Sequence, residues 1–234
     1  FIQLGKSVTN KIRLIVQDEL TLKDSSLRSN FGLYFFDDKS VTMHLPLKVG
    51  DYTDFYSSRH HAENVGQLFR GGENPLTENW LHMPIAYHGR ASSIVVSGTE
   101  IIRPEGQMLK QNKVVFGPSE KVDFELEFAT VIGKSNQLGN PIGISNSEEY
   151  IFGFCLLNDW SARDIQSWEY KPLGPFLGKN FATTISPWIV TIEALNLFRI
   201  SVSPKKKVLP YLQMHHPESF DINLKVHLNN QEIT

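Results

Sequence analysis

Cysteine is almost missing from this 234-residue sequence. Cys155 stands alone, which excludes an intrachain disulfide framework and any cysteine-rich zinc site. Its neighbours Phe152, Phe154, Leu156 and Leu157 predict a buried, unreactive thiol. An excess of charge of either sign is lacking too. Lys plus Arg number 23 against 25 Asp plus Glu, a net charge of -2, whereas general polyanion binding needs a net or clustered positive field. No nucleic-acid partner is expected. The one basic run, Lys205-Lys206-Lys207, lies between Pro204 and Pro210 and reads as a solvated loop. No apolar stretch reaches the roughly 20 residues of a membrane span, and no secretory apolar core opens the sequence, so no membrane partner is expected either. Internal repeats and low-complexity segments are absent. What is there is a chain 41% hydrophobic and 21% charged, sufficient for a packed core. A soluble protein of a reducing compartment, read as cytoplasmic, is the economical expectation.

Val8, Ile12, Ile15, Val16 and Leu20 recur at helical spacing, predicting an amphipathic helix with one docking face in the first ~20 residues. A polar stretch from Lys23 to Asn30 follows. From Thr42 the texture changes to short strands punctuated by Gly and Pro. Residues 94–96, 114–116, 124–132, 150–157, 189–192 and 220–228 are strand-like, with short helices near 62–69 and 161–170. Strands without regular helical crossovers predict an α+β, mostly β, fold with a mixed sheet. Residues 1–40 read as an N-terminal helical linker segment and 41–234 as a partial catalytic domain. The sequence starts at Phe1 and stops just past Asn229-Asn230, inside an apparent hairpin whose second arm is Gln231-Glu232-Ile233. A fragment truncated at both ends is expected.

Four stretches could carry chemistry. In Asp123-Phe124-Glu125-Leu126-Glu127-Phe128, strand alternation would put Glu125 and Glu127 on one side and the apolar residues on the other. Two like charges so placed repel unless compensated, and a bound cation is the simplest compensator. An edge strand with a solvated acidic face is the plainer alternative. Asn158-Asp159 ends an apolar strand directly before a helix, where an acid could equally be an N-cap. In that helix Arg163, Gln166 and Tyr170 share a face that suits a carboxylate or oxyanion, while Trp160, Ile165 and Trp168 supply a separate packing side. The third stretch, Asp51 to Tyr56, precedes His60, His61 and Arg70. It places Asp54 and Tyr56 on one extended face, and His61 titrates in the range a general base needs. The fourth, Gly174 to Thr184, contains Gly178-Lys179 but lacks the spacing of a phosphate loop, so Lys179 reads as a partly buried cation. No cluster of Lys or Arg adjoins the acids in sequence. A glycosidase pair is disfavoured, because Glu125 and Glu127 would share one strand face rather than flank a cleft.

Asp51-Tyr52-Thr53-Asp54-Phe55-Tyr56-Ser57-Ser58, Tyr87-His88-Gly89-Arg90, Glu125-Leu126-Glu127, Asn158-Asp159-Trp160-Ser161-Ala162-Arg163-Asp164 and Pro172-Leu173-Gly174-Pro175-Phe176-Leu177-Gly178-Lys179 together closely resemble the fumarylacetoacetate hydrolase family. The resemblance runs in order over nearly the whole chain. It implies a mixed β-sheet roll or sandwich, with an N-terminal barrel-like domain before Phe1 and further site residues after Thr234. It implies metal ligands at Asp54, Glu125, Glu127 and Asp159, and a second, Mg²⁺-type position touching Asp159, Lys179 and Thr183. Four carboxylates and no thiol make a hard-oxygen site, for which Ca²⁺ is the expectation ahead of Mg²⁺. The implied reaction is hydrolysis of the carbon–carbon bond of the diketo acid 4-fumarylacetoacetate to fumarate and acetoacetate, the last step of tyrosine and phenylalanine breakdown. His61 would be the general base; Arg163, Gln166 and Lys179 would stabilise the oxyanion; and Tyr56, Arg70, Gln166 and Tyr170 would orient substrate. The resemblance also implies a homodimer. The rival expectations are another enzyme of the wider family (acylpyruvase, decarboxylase or hydratase) and a non-catalytic metal-binding homologue.

Overall fold

Ile151–Asp159 has the nearly unbroken apolar sequence Ile-Phe-Gly-Phe-Cys-Leu-Leu-Asn-Asp, the pattern of a strand covered on both faces. In the computed structural model, which describes residues 1–203 and 208–233, it is the strand around which the main sheet is built. Leu126–Ile132 lies antiparallel along one edge. Thr183–Ile185 and Val190–Thr191 share the other edge, pairing with its C-terminal and N-terminal parts respectively. Ile94–Val96 adds a parallel partner to Thr183–Ile185. Gly153 is needed where Val190–Thr191 crosses, since a Cβ there would come within 2.3 Å of the Val190 carbonyl oxygen. The sheet is mixed, as expected, and the α+β class holds. Helical residues, about 34%, outnumber strand residues at about 24%.

One face of the sheet packs Ile94, Val131, Phe152, Cys155, Leu157 and Ile185 together. The other packs Phe154, Ile192 and Leu195, with Phe128 stacked on Phe154 at 4.6 Å between centroids. Cys155 is buried and unpaired, and burial pushes its thiol pKa up, making it less reactive. A third cluster of Met108, Ala162 and Ile165 seats the helix Arg163–Glu169 on the hairpin Glu105–Lys110/Lys113–Pro118. That hairpin turns through Gln111 and Asn112, both with positive φ, as does the smaller His227–Leu228/Gln231–Glu232 hairpin through Asn229 and Asn230.

Several expectations are corrected. The strand expected over 124–132 starts at Leu126, because the Glu125 N–H donates to the Asn158 side chain (3.1 Å) and leaves the ladder. The strand expected over 220–228 is two pieces, Glu218–Phe220 and His227–Leu228, because its partner Arg199–Ser201 pairs only as far as Phe220. The first helix forms at Lys6–Thr21, yet Val8, Ile12, Ile15, Val16 and Leu20 are all exposed and Thr9 is its one buried residue. Trp168, expected on a packing side, is 40% exposed with its ring N–H reaching Gln107 at 3.3 Å, while Ile165 is buried. The lysine run 205–207 lies outside the described residues. No described helix is long and apolar enough to cross a membrane.

Candidate active site

The end of the central strand delivers Asp159 into the interior, 1% exposed, with Thr183 opposite it in register and buried. The neighbouring strand contributes Glu127. The third carboxylate, Asp54, comes from the short ribbon Thr53–Phe55/Ala86–His88, where it faces Tyr87. Residues paired across two strands share a side, so the Tyr87 hydroxyl reaches Asp54 Oδ2 at 2.8 Å and donates to it. One carboxylate oxygen from each of Asp54, Glu127 and Asp159 lies within 4.8 Å of the others. Burial, with the charges of Asp54, Asp159 and Glu125 added, pushes Glu127 up to about 8. Burial likewise pushes Asp159 up to about 7, against the pull of Lys179. At neutral pH Glu127 and, in part, Asp159 therefore hold protons that a cation would displace.

Glu125, two residues before Glu127, stands apart from this trio. It lies just outside the strand, tied to it by the Asp159 N–H donating to its carbonyl at 3.1 Å. Its carboxylate meets Lys179 Nζ at 2.7 Å, Arg163 Nη1 at 2.7 Å and the Ser161 hydroxyl at 3.3 Å. Burial alone would raise its pKa, but Lys179, Arg163 and His61 outweigh that and hold it below its ordinary value. The fourth carboxylate of the expected ligand set is thus partnered by cations, which the fold brings from segments that do not adjoin it in sequence. Lys179, far from any acid in sequence, is 5% exposed, and its ammonium sits 2.6 Å from Asp159 Oδ2. These two carboxylates keep it charged, above its ordinary pKa, against burial.

The helix Arg163–Glu169 starts beside this pair. Arg163 grips Asp123 through Nε and Nη2, each at 2.9 Å, and its Nη1 also donates to Gln166 Oε1 at 3.1 Å. Tyr170, the residue after that helix, stacks on Phe69. His61 lies in the first turn of Arg59–Phe69, where Ser58 caps the helix by accepting from its N–H. His61 Nε2 is 3.5 Å from Glu125 Oε1, too long for a hydrogen bond, and the Tyr56 and His61 rings are T-shaped with centroids 5.8 Å apart. Burial lowers the His61 pKa, opposed by Glu125, so the imidazole is neutral at pH 7. Tyr56 donates to the Ala62 carbonyl at 3.0 Å. The guanidinium of Arg70, beside the Tyr56 phenol, opposes the rise that burial gives it, while donating to the Pro75 carbonyl at 2.5 Å. A cavity of about 700 Å³ opens against Tyr56, Trp80, Met83 and Ile85 rather than over the carboxylates.

Sequence reasoning passed over Tyr52, Tyr87, Asp123 and Ser161. Tyr87 was recoverable in principle, since a strand carrying Asp54 needs a partner; the others are placed only by packing. The Tyr52 ring lies so close over Gly89 that a Cβ there would sit 1.9 Å from a ring carbon. Its hydroxyl is buried without a hydrogen-bond partner, in the field of Asp54, Asp159 and Glu127. An oxygen-only trio with excess negative charge and an unpartnered hydroxyl beside it fits a hard divalent cation.

The family described as fumarylacetoacetate (FAA) hydrolase C-terminal matches residues 51–234. The chain belongs to the fumarylacetoacetate hydrolase family. It is 53% identical to the fumarylacetoacetase of Bos taurus over 99% of its own length and 57% of that protein. The fumarylacetoacetase of Arabidopsis thaliana is 52% identical over 97% of this chain and 56% of that one. The chain therefore spans just over half the length of the curated relatives it matches. Among solved structures, fumarylpyruvate hydrolase from Pseudomonas aeruginosa in complex with Mn²⁺ and pyruvate aligns at a TM-score of 0.44 and 16% identity, covering 79% of this chain and 73% of that one, a likeness too slight to add to the assignment.

Proposed function

We propose that the full-length protein hydrolyses the carbon–carbon bond of 4-fumarylacetoacetate, giving fumarate and acetoacetate, with Ca²⁺ as the preferred cation. The observation that carries this reading is the meeting of an oxygen-only trio (Asp54 and Glu127 half-buried, Asp159 buried) with a neutral imidazole, the buried Lys179 ammonium and the half-buried Arg163 guanidinium around Glu125. Identity above 50% to fumarylacetoacetases over nearly the whole chain supports it. A divalent ion held by the trio would polarise the diketone oxygens and stabilise the enolate that leaves. Ca²⁺ is preferred because it accepts irregular carboxylate shells; a second, Mg²⁺-type position near Asp159, Lys179 and Thr183 belongs to the same reading, although there the Lys179 ammonium already contacts Asp159.

His61, neutral at working pH, takes a proton from water as the oxygen bonds to the carbonyl carbon. Lys179, Arg163 and Gln166 face the oxyanion that forms, charges and dipoles already fixed before reaction. When the carbon–carbon bond breaks, its electron pair leaves with the acetoacetate fragment and a proton returns to that carbon. Tyr56, Arg70, Gln166 and Tyr170 would orient the substrate, with Arg70 suited to a terminal carboxylate. A homodimer in the cytoplasm belongs to the same reading, to be checked by sedimentation of the full-length protein.

The test is loss of the diketone absorbance when full-length protein and Ca²⁺ meet fumarylacetoacetate, compared with acylpyruvates. Fumarylacetoacetate should be the faster substrate. Preference for acylpyruvates would move the reading to another activity of the same family, and no turnover of either would leave a metal-binding homologue.

A further inference from the structure

Glu169 ends the helix that carries Arg163 and Gln166, and the chemistry above leaves it unused. Its carboxylate accepts three consecutive backbone N–H groups of the next turn. Oε1 takes Phe176 at 3.0 Å and Gly178 at 2.6 Å, and Oε2 takes Leu177 at 3.1 Å. Charge-assisted bonds are stronger than neutral ones, and three along one segment fix its direction as well as its place. The segment so held is the short helix Leu177–Asn180, which carries Lys179. The contact between the two helices is also close. A Cβ on Gly178 would lie 2.9 Å from the Cα, Cβ and N of Gln166, so only glycine lets that backbone approach. A lysine ammonium ends a flexible four-carbon stem. It stands 2.6 Å from Asp159 and 2.7 Å from Glu125 only if its own backbone is held in place.

We propose that Glu169 is a positioning residue, which by gripping the N–H groups of residues 176–178 sets where the Lys179 ammonium stands between Asp159 and Glu125. Its effect on turnover rests on the function proposed above; its effect on the placement of Lys179 does not. The plainer role is stabilisation of the turn alone.

Full-length Glu169→Gln tests this, with Glu169→Asp as the milder variant. In a crystal structure of the variant, Lys179 Nζ should leave hydrogen-bonding distance of Asp159 or Glu125. Turnover of fumarylacetoacetate should fall about tenfold to a hundredfold in kcat, as misplacing a catalytic group by about 1 Å does, with KM little changed. In a Lys179→Met background the same substitution should cost nothing further, because a residue acting through another is not additive with it. Nζ remaining in place, a kcat penalty that adds in full to Lys179→Met, or loss of folding in both Glu169 variants would each overturn the proposal. A wild-type protein that leaves fumarylacetoacetate intact would sink the functional reading, and the crystallographic result would still decide on Glu169.

Discussion

Glu125 and Glu127 are separated by one residue and live in opposite electrostatic worlds. Glu127 converges with Asp54 and Asp159, Lys179 touching the trio only through Asp159, and its pKa climbs to about 8. Around Glu125 an ammonium and a guanidinium close in at 2.7 Å, and its pKa falls. Both groups are largely buried, so desolvation pushes both upward; the sign of the neighbouring charge decides which way each one goes. Among the described residues Glu127 has no cationic side chain in contact, while Glu125 has two supplied by the chain itself. His61 faces the Glu125 side and Asp159 belongs to both.

The sharpest way to break this contrast is to remove the lysine cation. Lys179→Met should destabilise the full-length protein by about 3–5 kcal/mol in urea denaturation, because it leaves the buried Asp159 without its cation and Glu125 with Arg163 alone, and should cut kcat by at least about a hundredfold. Unchanged stability would show that Glu125 and Asp159 are not held as charged partners. His61→Ala should lower kcat by about a hundredfold or more and leave Ca²⁺ affinity by calorimetry unaltered, since the imidazole is outside the carboxylate trio. In the intact enzyme the rate should rise with pH through an apparent pKa below the ordinary 6.5 of histidine and be level by neutrality.

A gentler probe is pH in the absence of metal. Glu127 ionises at about 4.5 when unfolded and about 8 when folded, so between those values the unfolded chain carries fewer protons than the folded one. The sign follows: metal-free stability declines as pH rises from about 4.5 to about 8, and the loss is complete above that. Melting in chelator should show this slope, Ca²⁺ should flatten it through linkage, and Glu127→Gln should make it shallower, leaving the share of Asp159, while weakening Ca²⁺ binding. A metal-free melting temperature that rises across the same window would contradict the picture. The smallest effect is expected for Tyr87→Phe. Losing one hydrogen bond to a charged acceptor, 2.8 Å from Asp54, should weaken Ca²⁺ binding by about 1–2 kcal/mol in calorimetry without altering the His61-dependent pH profile.

Local pattern made some of this legible. The apolar run 151–157 reads as a strand, Asn229-Asn230 as a turn, and the Asp54, Glu125/Glu127, Asp159 and Arg163/Gln166 stretches offer the oxygen ligands and cationic groups to which the family resemblance assigns roles. Alternation also predicted Glu125 and Glu127 as equals on one strand face, and there it failed. The Asn158 side chain takes the Glu125 N–H out of the ladder, a contact 33 residues apart in sequence that no period-2 pattern contains. The pairing of Lys179 with Asp159 and Glu125 spans 20 residues and more, and it reverses the charge balance that the linear sequence implies. Sequence by itself determined which side chains are available, many of them carboxylates, and which segments extend or coil. Tertiary structure decided which carboxylates converge and which are neutralised, because Coulomb interactions and desolvation depend on distance and burial, and both are properties of the packed chain alone.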